Sequence, residues 1–213
     1  AVNVNPLYTP RELEHQLKDS GSKAIFILEN FAATLQQVIG KTQVKHVVLA
    51  SMGEMLGFPK GLIVDFVVRR KMVPPYSLPG AVRFAAALKA GAGKRIDEPQ
   101  LTHSDAAVLQ YTGGTTGVSK GATLTHGALL AAVLASEAWL QPALTAKPIS
   151  TQLTAICALP LYHVFAFVSC SLLALRAGAL CVLIPNPRDI PGFVKELSKR
   201  KFHLLPAVNT LFN

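Results

Sequence analysis

Short apolar runs alternate with helical stretches along this chain, and that alternation constrains the fold more than any other feature. "AIFIL" at Ala24–Leu28 is a run of strand type. Residues 31–39 read as a helix ended by Gly40, and "HVVLA" at His46–Ala50 reads as the next strand. Strand, helix, strand in this order predicts βαβ units on a parallel sheet buried on both faces. A helix before them is marked by Thr9 as cap, Pro10 in the first turn and Glu12 completing a capping box; Leu13 and Leu17 repeat at i, i+4, and Gly21 is its stop.

Residues 51–105 carry weaker signals. "GLIVDFVVRRKM" and "AVRFAAALKAG" read as helices around a Pro-rich break, "VPPYSLPG". "GAGKRIDEPQLTHSD" reads as an exposed linker. The alternation then resumes: "AAVLQYT" and "GATLTH" as strands, "GALLAAVLASEAWL" as a helix, "LTAICAL" as a strand. "HVFAFVSCSLLALRAG" as a helix, "ALCVLI" as a strand, residues 189–200 as a helix and "HLLPAV" as a strand complete the series. Asp189 reads as a helix cap before Pro191, and Asn209 and Thr210 as the opening of a further helix. The expected fold class is α/β, with mainly parallel sheets flanked by helices in two βαβ-type half-domains, over residues 1–100 and 101–213. They are expected to meet near residues 95–105. Both chain ends are abrupt, as expected of a piece excised from a longer protein.

Half of the residues are hydrophobic and 15% are charged, which excludes a disordered chain. The 21 Lys and Arg outnumber the 12 Asp and Glu, for a net charge of +9. Apart from a basic solvated surface, this balance points to anionic partners: a nucleotide, a phosphorylated coenzyme or an acidic membrane surface. Nucleic acid is not expected, because the densest basic run, Arg69-Arg70-Lys71, is short and lacks interleaved aromatics. Cys157, Cys170 and Cys181 fit neither redox nor zinc spacing and read as buried, reduced core residues of a cytoplasmic protein. No apolar stretch is read as reaching the about 18 residues of a membrane helix; the best, residues 165–184, is broken by Arg176 and Gly178. Membrane contact is therefore expected to be peripheral, at the inner face of the cytoplasmic membrane.

Between the two central strands lies "YTGGTTGVSKGATLTH". It is no Walker loop, because Lys120 follows Ser119 and precedes Gly121; Gly113-Gly114-x-x-Gly117 also misses the dinucleotide spacing. The chemistry still points to phosphate. Glycines let backbone N–H groups approach an anion, Thr112, Thr115, Thr116 and Ser119 add hydroxyls, and Lys120 adds a mobile charge. A plain hairpin turn needs only one or two such residues; a flexible surface loop stays open as the alternative.

"YTGGTTGVSKGATLTH" resembles the nucleotide-binding signature of adenylate-forming enzymes. With "VNVNPLYTPRELEHQLKDSGSKAIF", "ALPLYHVFAF" and "NPRDIPGFVKELSKRKFHLLPAVNTLFN", the chain resembles bacterial long-chain fatty acid–CoA ligases from end to end, most weakly across residues 51–105. The resemblance implies an internal fragment of the large N-terminal domain of an acid–thiol ligase. Such an enzyme activates a fatty acid with ATP to an acyl-adenylate, releasing pyrophosphate, and then forms acyl-CoA and AMP. ATP/AMP, Mg²⁺ and coenzyme A are the implied cofactors and co-substrates, and a homodimer of the complete enzyme is compatible with it. Another acid of the same superfamily, or a non-catalytic nucleotide-binding module, is the alternative.

The resemblance also assigns residues. Tyr111, Thr112, Gly113, Gly114, Thr115, Thr116, Gly117, Val118, Ser119, Lys120, Gly121 and Ala122 would form the nucleotide-binding segment, Lys120 adding charge and Thr112 an oxygen ligand near Mg²⁺. Tyr111 would end the strand and pack. His163 would lie where carboxylate, α-phosphate and thiol meet, and Phe167, at i+4, would gate the fatty-acid tunnel; ordinary core packing is the alternative for Phe167. His15, His46, His103, His126 and His203 form no metal spacing and receive no role. The adenine, ribose and C-terminal lysine motifs of the family are absent from these residues, so no complete catalytic set is expected here and the fragment alone is expected to be inactive.

Overall fold

The computed structural model describes residues 1–113 and 118–211, apart from the Thr210 side chain. The chain divides into two compact units. One holds Val2–Gln100 and Tyr111–Gly121; the other holds Ala1, Leu101–Gln110 and Ala122–Asn213.

In the first unit, β1 (Val2–Asn3) leads into α1 (Pro10–Asp19). Thr9 caps α1 as the sequence requires. Its hydroxyl oxygen accepts the Glu12 N–H at 3.4 Å, and the Glu12 carboxylate accepts the Thr9 N–H at 2.8 Å. Leu13 and Leu17 are buried, and Gly21 takes the positive φ of 62° that ends the turn. β2 (Ala24–Leu28) and β3 (His46–Ala50) pair in parallel from Ala24↔His46 to Leu28↔Ala50, as the alternation requires.

Residues 31–39 are not one helix. A 3₁₀ turn at Glu29–Phe31 precedes α2 (Ala32–Gln36), and a second 3₁₀ turn follows at Ile39–Lys41. The buried residues Ala32, Leu35 and Val38 recur every third position, a period that the tighter 3₁₀ turn serves as well as the α-helix. α3 (Lys60–Met72) forms as expected. Val82–Arg83, read as helical, instead forms β4, parallel to β3, before α4 (Phe84–Gly91). Glu29 explains the difference. It is buried, and its carboxylate accepts Arg69 Nε–H and Arg83 Nη1–H at 2.8 Å each, which holds the β4 backbone beside β3. The core packs Leu13, Leu17, Ile25, Leu35, Val47 and Leu49 around the sheet.

β5 (Ala106–Thr112) and β6 (Lys120–Thr125) are consecutive neighbours in a sheet of order β1-β5-β6. In the second unit, α5 (His126–Ala146) runs six residues past the predicted end at Leu140 and carries Pro142 inside it. This corrects the reading of membrane segments: α5 is long and apolar enough to cross a membrane, with a mean hydropathy of 1.3 and 6% of that stretch buried. β7 (Thr154–Cys157) and β8 (Leu180–Leu183) pair in parallel. Between them the predicted helix divides into α6 (Val164–Ala166), a π-helical segment Phe167–Leu172, and α7 (Leu173–Arg176). Asp189 caps α8 (Ile190–Ser198), its carboxylate accepting the Gly192 N–H at 3.1 Å.

"HLLPAV" forms only a single bridge, Leu204↔Ala155, because Pro206 has no N–H to continue a ladder. Asn209 opens a 3₁₀ turn, Asn209–Leu211. The core of this unit joins Ile156, Ala158, Ile184 and Phe193. Cys157 and Cys170 are buried and Cys181 half-buried, all three as free thiols. Burial pushes the Cys170 thiol up from 9.0 to about 12, so it stays protonated at neutral pH.

Candidate functional site

The glycine-rich segment leaves β5 at Thr112 and re-enters the sheet at Lys120. Tyr111 is buried, as expected of a residue that ends the strand and packs, but its hydroxyl also works: it donates to Asp19 Oδ2 at 2.5 Å. Burial and that carboxylate together raise the phenol's pKa. At the other end, the Ser119 hydroxyl donates to the Thr112 carbonyl at 2.9 Å and clasps the two strand ends. The Ser119 carbonyl accepts His15 Nε2–H at 2.8 Å.

His15 and Asp19 are i, i+4 on α1 and so share a face. One helix thus anchors both sides of the segment. Neither residue was assigned a role from the sequence; each acts across about a hundred residues of chain, and no local pattern marks such a pair.

The glycines at the two ends serve different needs. A Cβ on Gly121 would stand 2.9 Å from Cε2 and Cζ of the Tyr111 ring, so glycine is required for packing. A Cβ on Gly113 would meet nothing within 4 Å among the described residues, and its φ is not positive. Thr112, Val118 and Lys120 are exposed, as is Ala122, which opens the second unit's share of β6. The Lys120 ammonium makes no ion pair among the described residues. Gly114, Thr115, Thr116 and Gly117 lie outside the described residues. At the two strand ends the exposed residues Thr112, Gly113 and Lys120 offer a hydroxyl, a glycine backbone and an ammonium, groups suited to a polyanion.

His163 and Phe167 belong to the second unit. His163 is exposed at the start of α6, and its ring lies 4.4 Å from the Tyr162 ring at 47°. Its carbonyl accepts the Phe167 N–H at 2.9 Å, so the two residues stand one helical turn apart as predicted. Phe167 is half-buried and opens the π-helical segment. Gln110, buried at the end of β5, donates Nε2–H to the Tyr162 carbonyl at 2.9 Å and fixes the backbone that presents His163. A glutamine within an apolar strand gave no sign of this contact in the sequence.

Along the same helix Ala166, Cys170, Leu173 and Ala174 are buried, whereas Val164, Phe165 and Leu175 are exposed. A cavity of about 50 Å³ lies between α5, β7 and this helix, lined by Leu140, Leu144, Ala155, Ser169 and Leu173 among others. No group of three or more His, Cys, Asp or Glu among the described residues could hold a metal ion.

The fold is shared with the anthranilate CoA ligase AuaEII, solved in complex with anthranoyl-AMP: TM-score 0.70 and 19% identity, over 96% of this chain and 34% of that one. It is an α/β fold of adenylate-forming enzymes. The family described as AMP-binding enzyme matches residues 1–213, and the chain belongs to that family. It is 52% identical over its whole length to a long-chain-fatty-acid–CoA ligase of Haemophilus influenzae, and 51% identical to one of Salmonella typhimurium. It spans 38% and 37% of the length of those two relatives.

Proposed function

We propose that this chain is part of a ligase that joins a long-chain fatty acid to coenzyme A through an acyl-adenylate. Identity of 52% to a ligase of that name along the entire chain supports the reading. The observation that carries it is the pair of anchored strand ends at Thr112 and Lys120, which bear an exposed threonine and an exposed lysine on either side of the glycine-rich segment.

In the first step a carboxylate oxygen attacks the α-phosphorus of ATP and pyrophosphate leaves. In the second the coenzyme A sulfur attacks the acyl carbon and AMP leaves. Both first-step reactants are anions, so charge neutralisation and alignment dominate the barrier. Lys120 and the Thr112–Gly117 backbone hold the outer phosphates, and His163 orients the acyl carboxylate while Phe167 borders its chain. Magnesium fits the donors present: it takes few protein ligands, so Thr112 would be the residue of this segment to hold it. The ion, when bound, neutralises phosphate charge.

The test is ATP–pyrophosphate exchange by the complete polypeptide that carries this chain, across a panel of fatty and aromatic acids. Exchange should depend on long-chain acids. Lys120→Ala should lower it by about 1–3 kcal/mol of transition-state stabilisation. Exchange with aromatic acids alone would move the reading to another acid of the superfamily; a Lys120→Ala enzyme of full activity would overturn the phosphate role. The 213 residues by themselves should show no exchange.

A further inference from the structure

We propose that the outward face of α3 docks on an anionic lipid surface. The helix has an inverted distribution of polarity. Gly61 and Val68 face inward and are its only buried residues. At 100° per residue, Leu62, Ile63, Phe66 and Val67 fall on one stripe opposite them. These four are 65%, 61%, 67% and 44% exposed. The segment leading into the helix also carries exposed apolar side chains, Met55 and Phe58, at 77% and 87%. An outward helix face is ordinarily polar.

Charge supplies the occupant. On the same helical wheel, Arg70 continues the stripe from Phe66, and Lys60 and Lys71 border it on the Val67 side; Arg69, on the Leu62 side, is already held by the Glu29 carboxylate at 2.8 Å. The nearby acids are turned elsewhere. Asp65 accepts the Ser51 hydroxyl and the Gly53 N–H, each at 2.7 Å, and Glu54 accepts the N–H groups of Ser51 and Ala85 at 3.0 and 2.8 Å. An apolar stripe edged by cations, with the acids withdrawn, matches the boundary between acyl chains and anionic headgroups. α5 is more apolar than α3 but carries Glu137 and no lysine or arginine, so it has no such charge match. The inference does not depend on the ligase reading.

The complete polypeptide should co-sediment with vesicles of phosphatidylcholine mixed with phosphatidylglycerol. It should bind much less to phosphatidylcholine alone, and less at high salt. Phe66→Gln should weaken binding about tenfold, and Arg70→Glu with Lys71→Glu at least as much. Trp139→Gln on α5 should leave it unchanged. These side chains are exposed, and circular dichroism checks that each variant is folded. An environment-sensitive dye at Ile63→Cys should shift to the blue on vesicles, while the same dye at Leu134→Cys on α5 should not. Absence of vesicle binding, indifference to phosphatidylglycerol, an unaffected Phe66→Gln, or a shift confined to the α5 label would each overturn the proposal. A second copy or another part of the polypeptide seated on α3 would appear as one of these outcomes.

Discussion

Tyr111 combines two roles that substitutions can separate. Its ring supports the Gly121 backbone, and its hydroxyl reaches Asp19 on α1. Tyr111→Phe keeps the ring and removes a hydrogen bond to a charged group, so it should cost about 1.5 kcal/mol. Gly121→Ala keeps the hydroxyl and forces a methyl group to within 2.9 Å of the ring, which should cost about 1–3 kcal/mol. Urea denaturation reads both. If Tyr111→Phe were as stable as the parent, the Asp19 contact would not be a support.

At the scale of elements, α1 owes its start to local chemistry and shows that chemistry in its pH dependence. The Thr9 hydroxyl, and next the Thr9 N–H, hold the Glu12 carboxyl below its ordinary value of 4.5. A depressed native pKa means that the contribution is present above 4.5 and is lost as pH falls through the lowered value. Thr9→Ala should therefore cost about 1 kcal/mol at neutral pH. The difference between variant and parent should shrink in acid, in denaturation curves taken across that range.

Elements of this kind were legible in the sequence because cap, period and stop lie within a few residues of one another. The failures have longer-range causes. Val82–Arg83 sits in a helical context but is drawn into the sheet beside β3, with Arg83 tied to Glu29, 54 residues away. "HLLPAV" has the apolar content of a strand, yet one proline limits it to a bridge. The glycine-rich segment stands out in the sequence through its composition. Its anchoring by α1 does not, since nothing near His15 refers to Ser119.

At the scale of the whole molecule, large apolar side chains stand on both units. Phe66 and Phe58 are exposed in one, and Trp139 and Leu175, at 82% and 77%, in the other. Apolar surface of this extent is uncommon on an isolated soluble monomer. The 213-residue chain expressed by itself should therefore self-associate, with a light-scattering mass that grows with concentration. A monomer at high concentration would mean that these side chains find cover within the chain.

The clasp between Ser119 and the Thr112 carbonyl has a mechanical consequence. Like a drawstring, it fixes the mouth of the segment whatever the residues between contribute. Sequence drift between the clasped ends can then proceed while the sheet beneath feels no change of register. The composition of the segment and the pairing of the strands can then evolve as separate traits.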